Sequence, residues 1–151
     1  MMKGAKLMAV KPIPEGYHAV TPYLVVDGAS KLIDFLKQTF GATELFRMPA
    51  PGGKVGHAEI KIGDSNIMIA DNSGEWPARP AMLYVHVTDV DATHKRALAA
   101  GATQVKEPAN QFYGDRSSGV TDAFGNYWGI ATHVEDVSPE ELERRAKQAH
   151  A

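Results

Sequence analysis

One unit occurs twice in this chain, about 60 residues apart, and that doubling constrains the fold more than any single residue does. The first copy runs Tyr23-Leu-Val-Val-Asp27, a helix-like stretch, then Gly41-Ala42-Thr43. The second runs Leu83-Tyr-Val-His-Val-Thr-Asp89, another helix-like stretch, then Gly101-Ala102-Thr103. Each copy continues as short alternating segments. A glycine after a helix is a generic stop, because it accepts the left-handed conformation beyond the last turn. The weight therefore rests on the whole ordered pattern. Each half leaves an apolar face uncovered, so the two must bury those faces together. The expected fold is α+β, two tandem βαβββ modules forming a cupped mixed sheet, with a helix at the C-terminus.

The segments divide as an irregular lead-in at 1–17, a first module at 18–76, a second at 77–136 and a terminal helix at 137–151. In the first module Ala19 to Val26 favours a strand, and Asp27 is placed to cap the helix that follows. Leu32, Ile33, Phe35, Leu36 and Phe40 form one apolar stripe at helical spacing. Val55 to Ile62 alternates, with Ala58, Ile60 and Ile62 on one face and His57, Glu59 and Lys61 on the other. Asp71 to Pro80, rich in Gly and Pro, reads as the linker. The second helix is expected over Val90 to Ala100. Trp128 alternates with Gly129 on the last strand and should pack in the core. At the end, Ser138-Pro139-Glu140-Glu141 is a capping box. Glu140–Arg144, Glu141–Arg145 and Glu143–Lys147 then stand at i,i+4. With Leu142 and Ala146 nearly its only apolar residues, this helix should lie on the surface or dock on a partner subunit.

Several function classes drop out. A net charge of −2 supplies no field to recruit nucleic acid or an anionic membrane. No apolar run approaches the roughly 20 residues that span a bilayer. The chain has no cysteine, hence no disulfide, thiolate metal site or cysteine nucleophile. With no convincing signal peptide, a cytoplasmic location is expected. Pro51-Gly-Gly-Lys54 lacks the spacing of a phosphate-binding loop, and no Gly-x-Ser-x-Gly occurs.

The pattern as a whole resembles the vicinal oxygen chelate superfamily, which includes glyoxalase I, extradiol dioxygenases, fosfomycin-modifying enzymes and bleomycin resistance proteins. The likeness is carried by Thr21-Pro-Tyr-Leu-Val-Val-Asp27, Gly56-His-Ala-Glu-Ile-Lys-Ile-Gly-Asp64, Gly114-Asp115-Arg116 and Thr121-Asp-Ala-Phe-Gly-Asn-Tyr-Trp128. These segments look like an uncharacterised, glyoxalase-like bacterial branch. The resemblance implies two concave modules forming a cup, often as a homodimer, with metal ligands on the first and last strands of each module. Carried over, those places fall at Thr21, about Met68, Met82 and Gly129. None is a histidine or carboxylate, which divalent metals of this kind need. No metal and no other cofactor is expected, and the cup is read as a binding site for a small molecule, for instance a toxin or antibiotic.

Candidate ligand-binding residues are His57, Glu59, Met68, Tyr84, His86, Tyr113 and Arg116. His57 and Glu59 share a strand face and are the candidate catalytic pair if a reaction occurs. His86 and Tyr84 share another, and Arg116 offers a planar guanidinium to an anionic or carbonyl group. The bland readings stand beside these: polar residues on a wet sheet face, and an arginine paired with Asp115 or Asp122. The alternative function is a glyoxalase-like lyase or isomerase acting on a carbonyl compound, with a non-standard metal site, for which His57, Glu59 and His86 are the candidates, or none. An interaction protein using the charged terminal helix is a third possibility.

Overall fold

A computed structural model describes residues 9–150 of the chain, so the first half of the expected lead-in lies outside the described residues. The elements of the first module are β1 (Tyr23–Val26), α1 (Ala29–Phe40), β2 (Thr43–Ala50), β3 (Lys54–Ile62) and β4 (Ser65–Asp71). The second repeats the order with β5 (Met82–His86), α2 (Val90–Ala99), β6 (Thr103–Asn110), β7 (Asp115–Thr121) and β8 (Tyr127–His133). The helix α3 (Pro139–Ala149) follows. Each module makes its own mixed sheet, ordered β1-β4-β3-β2 and β5-β8-β7-β6, with the first strand parallel to the last.

In both modules the helix covers one face of the sheet and leaves the other open. Leu32, Ile33 and Leu36 of α1 are fully buried against Leu24, Ile60 and Ile69 of the sheet. The alternation read in β3 holds, with Ala58, Ile60 and Ile62 buried and His57, Glu59 and Lys61 on the open face. Trp128 is buried completely, and its ring meets Phe40 and Phe35 of α1 at centroid distances of 5.6 and 6.5 Å. The last strand of the second module is thus packed under the helix of the first. Its indole N–H donates to Asp122 at 2.8 Å. Phe124 lies over Gly28, where an added Cβ would meet the ring at 2.8 Å. The modules share one core.

Four local expectations are corrected. The first strand begins at Tyr23, not Ala19, where pairing with β4 begins. Asp27 does not cap α1. The N-cap is Gly28, and the carboxylate of Asp71 accepts the N–H groups of Gly28 and Ala29 at 2.8 Å each. The same carboxylate accepts the N–H of Val55 at 2.7 Å. Asp71 therefore ends β4 rather than opening the linker, and it ties helix, hairpin and sheet together. Burial works to raise its pKa, and the three backbone donors outweigh it. Finally, of the three expected i,i+4 pairs of α3, Arg144 takes Glu141 instead of Glu140. The helix exposes most of its surface but docks on its own chain, with Arg145 clamping Glu135, Glu141 and the carbonyl of Phe112.

Candidate functional site

The open face of the first sheet carries a hydrogen-bonded chain of four side chains. Tyr17 donates its hydroxyl to Glu59 Oε1 at 2.6 Å, and His57 Nε2 lies 3.1 Å from Glu59 Oε2. A carboxylate only accepts, so His57 Nε2 carries the proton. His57 Nδ1 lies 2.9 Å from the Tyr23 hydroxyl, which donates to it when the ring is neutral. The Glu59 carboxyl is held below its ordinary range by the bonds from Tyr17 and His57. Burial, reinforced by the Glu59 carboxylate, pushes the Tyr17 phenol up to about 12. The order along the face is Tyr17, Glu59, His57, Tyr23. Phe46 on β2 stands in register with Glu59, with its ring 6.4 Å from that of His57.

Beside this chain lies a pocket of about 690 Å³, formed by Tyr23 and Val25 of β1, the β2–β3 turn and the segment after β4. Its walls are mainly apolar. Trp76 and Tyr23 supply aromatic faces, and Lys54 supplies a cation. The volume falls within the range that suits a small organic molecule.

The open face of the second sheet is organised around Asp115, which is 7% exposed. Its Oδ2 accepts the Tyr84 hydroxyl at 2.7 Å and lies 3.1 Å from His86 Nε2. Its Oδ1 lies 2.8 Å from His133 Nδ1. Burial works to raise the Asp115 carboxyl, and the bonds from His133, Tyr84 and His86 leave it below its usual range. His133 also reaches Asp136 through Nε2 at 2.8 Å. With a carboxylate on each ring nitrogen, both nitrogens must donate, and the pair of carboxylates raises the His133 pKa. The Tyr84 phenol is pushed up by burial and by Asp115.

Of the residues picked out in the sequence, His57, Glu59 and Met68 share the first open face, and Tyr84 and His86 the second. Tyr113 is 40% exposed beside Tyr84. Arg116 is not brought to either group. It projects from the helix-covered face of β7, where Nε and Nη2 bond the two oxygens of Asp91 at 2.8 and 2.9 Å. Neighbours on a strand face opposite ways, so Asp115, one residue earlier, enters the open face instead. Tyr17, Asp115 and His133 are the members that sequence reasoning missed. For Asp115 and His133 the alternation of β7 and β8 carried the signal, since Val120 and Ile130 mark the buried face. Nothing local pointed from Tyr17 in the lead-in to Glu59, 42 residues on.

Two covered-and-open sheets of this topology, related by an internal repeat, define a fold of paired βαβββ modules. The profile of the Glyoxalase/Bleomycin resistance protein/Dioxygenase superfamily matches residues 17–130, and the chain belongs to that superfamily. It is 38% identical over 136 residues to an uncharacterized protein of Mycobacterium bovis, covering 83% of this chain and 90% of that one. Among solved structures it is similar to TioX from Micromonospora, with 26% identity, a TM-score of 0.61 and coverage of 77% of this chain and 100% of that one. A family enzyme from Burkholderia phytofirmans shares the fold at 21% identity and a TM-score of 0.60, covering 74% and 95%.

The family's metal does not fit the residues present. Strand register pairs Tyr23 with Met68 and Tyr84 with Gly129. Two residues earlier, Met82 pairs with Tyr127, and Thr21 stands at the matching place before β1. On either register the side chains offer no imidazole and no carboxylate. Space is lacking as well: a Cβ on Gly129 would lie 2.7 Å from the Tyr84 ring, which occupies the ground a ligand side chain would need.

Proposed function

We propose that this chain is a metal-independent binding protein for a small, flat organic molecule, such as a toxin or antibiotic, working as a homodimer in the cytoplasm. The observation that carries the reading is the Tyr23–His57–Glu59–Tyr17 chain beside the pocket walled by Trp76 and Tyr23. Aromatic faces supply contact area at low entropic cost, and a few fixed polar groups orient the ligand. Met68 lies in register between Tyr23 and Glu59 and adds an adaptable apolar floor. The absence of imidazole or carboxylate at the four family positions supports ligand recognition without a metal.

The dimer is supported by what each open face leaves uncovered. Tyr23, Phe46 and Met48 on the first and Met82 and Tyr84 on the second are 46–76% exposed. A second copy laid across them would remove that apolar area from water. Light scattering at micromolar concentration should give twice the chain mass, and a monomer would reject this part of the reading.

A thermal-shift screen of planar organic compounds tests binding, because a ligand that binds only the folded state raises the melting temperature. Hits should weaken at least tenfold in Trp76→Ala. If no compound shifts the protein, or if hits ignore that substitution, the reading fails.

A second reading is favoured by one observation. His57 Nδ1 lies 2.9 Å from the Tyr23 hydroxyl while Glu59 fixes the ring, an arrangement that suits general acid–base chemistry on a carbonyl compound. A lyase or isomerase of this kind would lose turnover in Glu59→Gln while keeping ligand affinity. Equal turnover in that variant would exclude it.

A further inference from the structure

A second cleft, of about 740 Å³, opens where the modules meet. Phe40 at the end of α1, Ile62 at the end of β3 with Gly63 after it, and Val85 of β5 with Val87 just beyond give it apolar sides. Among the described residues its charged and ionisable lining is Arg96, His86 and His133, with no carboxylate.

The arginine is held in place without being neutralised. Arg96 Nε donates to the carbonyl of Thr39 at 3.1 Å, across the module junction, and Nη2 donates to Thr93 Oγ1 at 3.0 Å. Both acceptors are neutral. Among the described residues no carboxylate pairs with it, and Nη1 keeps its donors free. Arg47, Arg116, Arg144 and Arg145 are all engaged with carboxylates. A guanidinium anchored on one edge and open on the other is pre-organised to receive an oxyanion, since the loss of side-chain freedom is already met in the free protein.

The imidazoles complete the lining. Asp115 fixes His86 through Nε2, and Nδ1 has no partner among the described residues. His133 is bonded to Asp115 and Asp136, so those carboxylates balance its charge. Arg96 therefore supplies the attraction, while the His86 ring, one residue after Val85 on β5, stays with Asp115 on the open face at the cleft's rim. Thr88 brings a hydroxyl to the same wall.

We propose that this junction cleft is a binding site for a small organic oxyanion, a carboxylate or phosphate monoester on an apolar body, with the anionic group on Arg96 and the body against Phe40, Ile62 and Val85. The cleft is separate from the pocket beside Trp76, and the proposal does not depend on what that pocket binds. Because the cleft is walled by both modules, an occupant would also brace the junction.

The test is titration of the full chain with benzoate, phenyl phosphate, inorganic phosphate and neutral benzamide, followed by amide and side-chain nitrogen shifts. Benzoate or phenyl phosphate should bind at least tenfold tighter than benzamide, shifting the Arg96 Nε resonance. Inorganic phosphate should bind more weakly than phenyl phosphate, and the stronger of the two organic probes names the source. Arg96→Gln should lose at least tenfold in affinity, and Arg96→Lys should fall between. Benzamide binding as well as benzoate, shifts confined to other surfaces, or unchanged affinity in Arg96→Gln would each overturn the site. If Arg96→Gln does not fold, the comparison of benzoate with benzamide on the native chain and on Arg96→Lys decides.

Discussion

The two open faces start from the same backbone and solve it differently. Across the first sheet one row reads Tyr23, Met68, Glu59 and Phe46. The corresponding row of the second reads Tyr84, Gly129, Gly119 and Lys106. Where the first presents a methionine and a carboxylate, the second presents two glycines, and tyrosine rings lie over both. Tyr84 covers Gly129, and the Tyr127 ring and hydroxyl occupy the space a Cβ on Gly119 would take. The second module's carboxylate appears instead at Asp115, at the start of β7, reached by Tyr84 lying flat on the sheet. The first face is a half-buried chain of side chains with its pocket to one side. The second is a buried hub with the junction cleft beyond it. A repeat thus conserves the frame and leaves the chemistry to single positions, often glycines.

The largest effect should come from removing what joins the two faces. Trp128→Ala empties a site between the modules and should cost about 3–5 kcal/mol, as large core truncations do. Urea denaturation followed in both modules should show a single transition moved to lower denaturant. Two separated transitions in the native protein would mean that the modules do not share a core.

Next, the hub should matter more to stability than the side-chain row of the first face. The side chain of Asp115 is 10% exposed and that of Glu59 28%. Asp115→Asn leaves three donors on a weaker acceptor and should cost about 1.5–3 kcal/mol, a range typical of bonds to charged groups. Glu59→Gln should cost less in the same assay. The reverse order would break the contrast drawn between the faces. Gly129→Ala and Met68→Ala sharpen it further. The first forces the Tyr84 ring aside and should cost about 1–3 kcal/mol, as overpacking does. The second, at a half-exposed position, should cost less.

The smallest effect concerns pH. His133 has a pKa raised by Asp115 and Asp136. Its contribution to stability is complete below the unfolded value of about 6.5 and is lost as pH rises through the folded value. Glu59, with a lowered pKa, contributes above its unfolded value and loses that contribution as pH falls through the folded one. Nitrogen-detected titration of the histidines should therefore find His133 protonating at higher pH than a free histidine. A value at or below 6.5 would remove the imidazolium from the second face.

Much of this frame was legible in the sequence because periodicity reports burial. The stripe on α1 and the alternation of β3 and of Trp128 with Gly129 follow directly from which face meets the helix. The caps and hubs were less legible, because they are made across the fold. Asp27 stands next to α1, yet the cap comes from Asp71 on another strand, since Gly28 turns the chain so that its N–H groups face β4. Arg116 drew attention as a guanidinium in a loop-like stretch. A one-residue step along β7 puts it opposite Asp91 and puts Asp115 on the open face. Arg96 carries no sequence signal at all, because the absence of a carboxylate partner is a tertiary fact.

The central claim is that this cup recognises its ligand through aromatic and hydrogen-bonding side chains rather than through a bound metal. Metal content per chain, measured on protein purified without chelator and paired with the affinity of a thermal-shift hit before and after chelation, tests it most directly. The account predicts far less than one transition-metal ion per chain and an affinity unchanged by chelation. About one ion per chain, with binding lost on its removal and restored on its return, would contradict it.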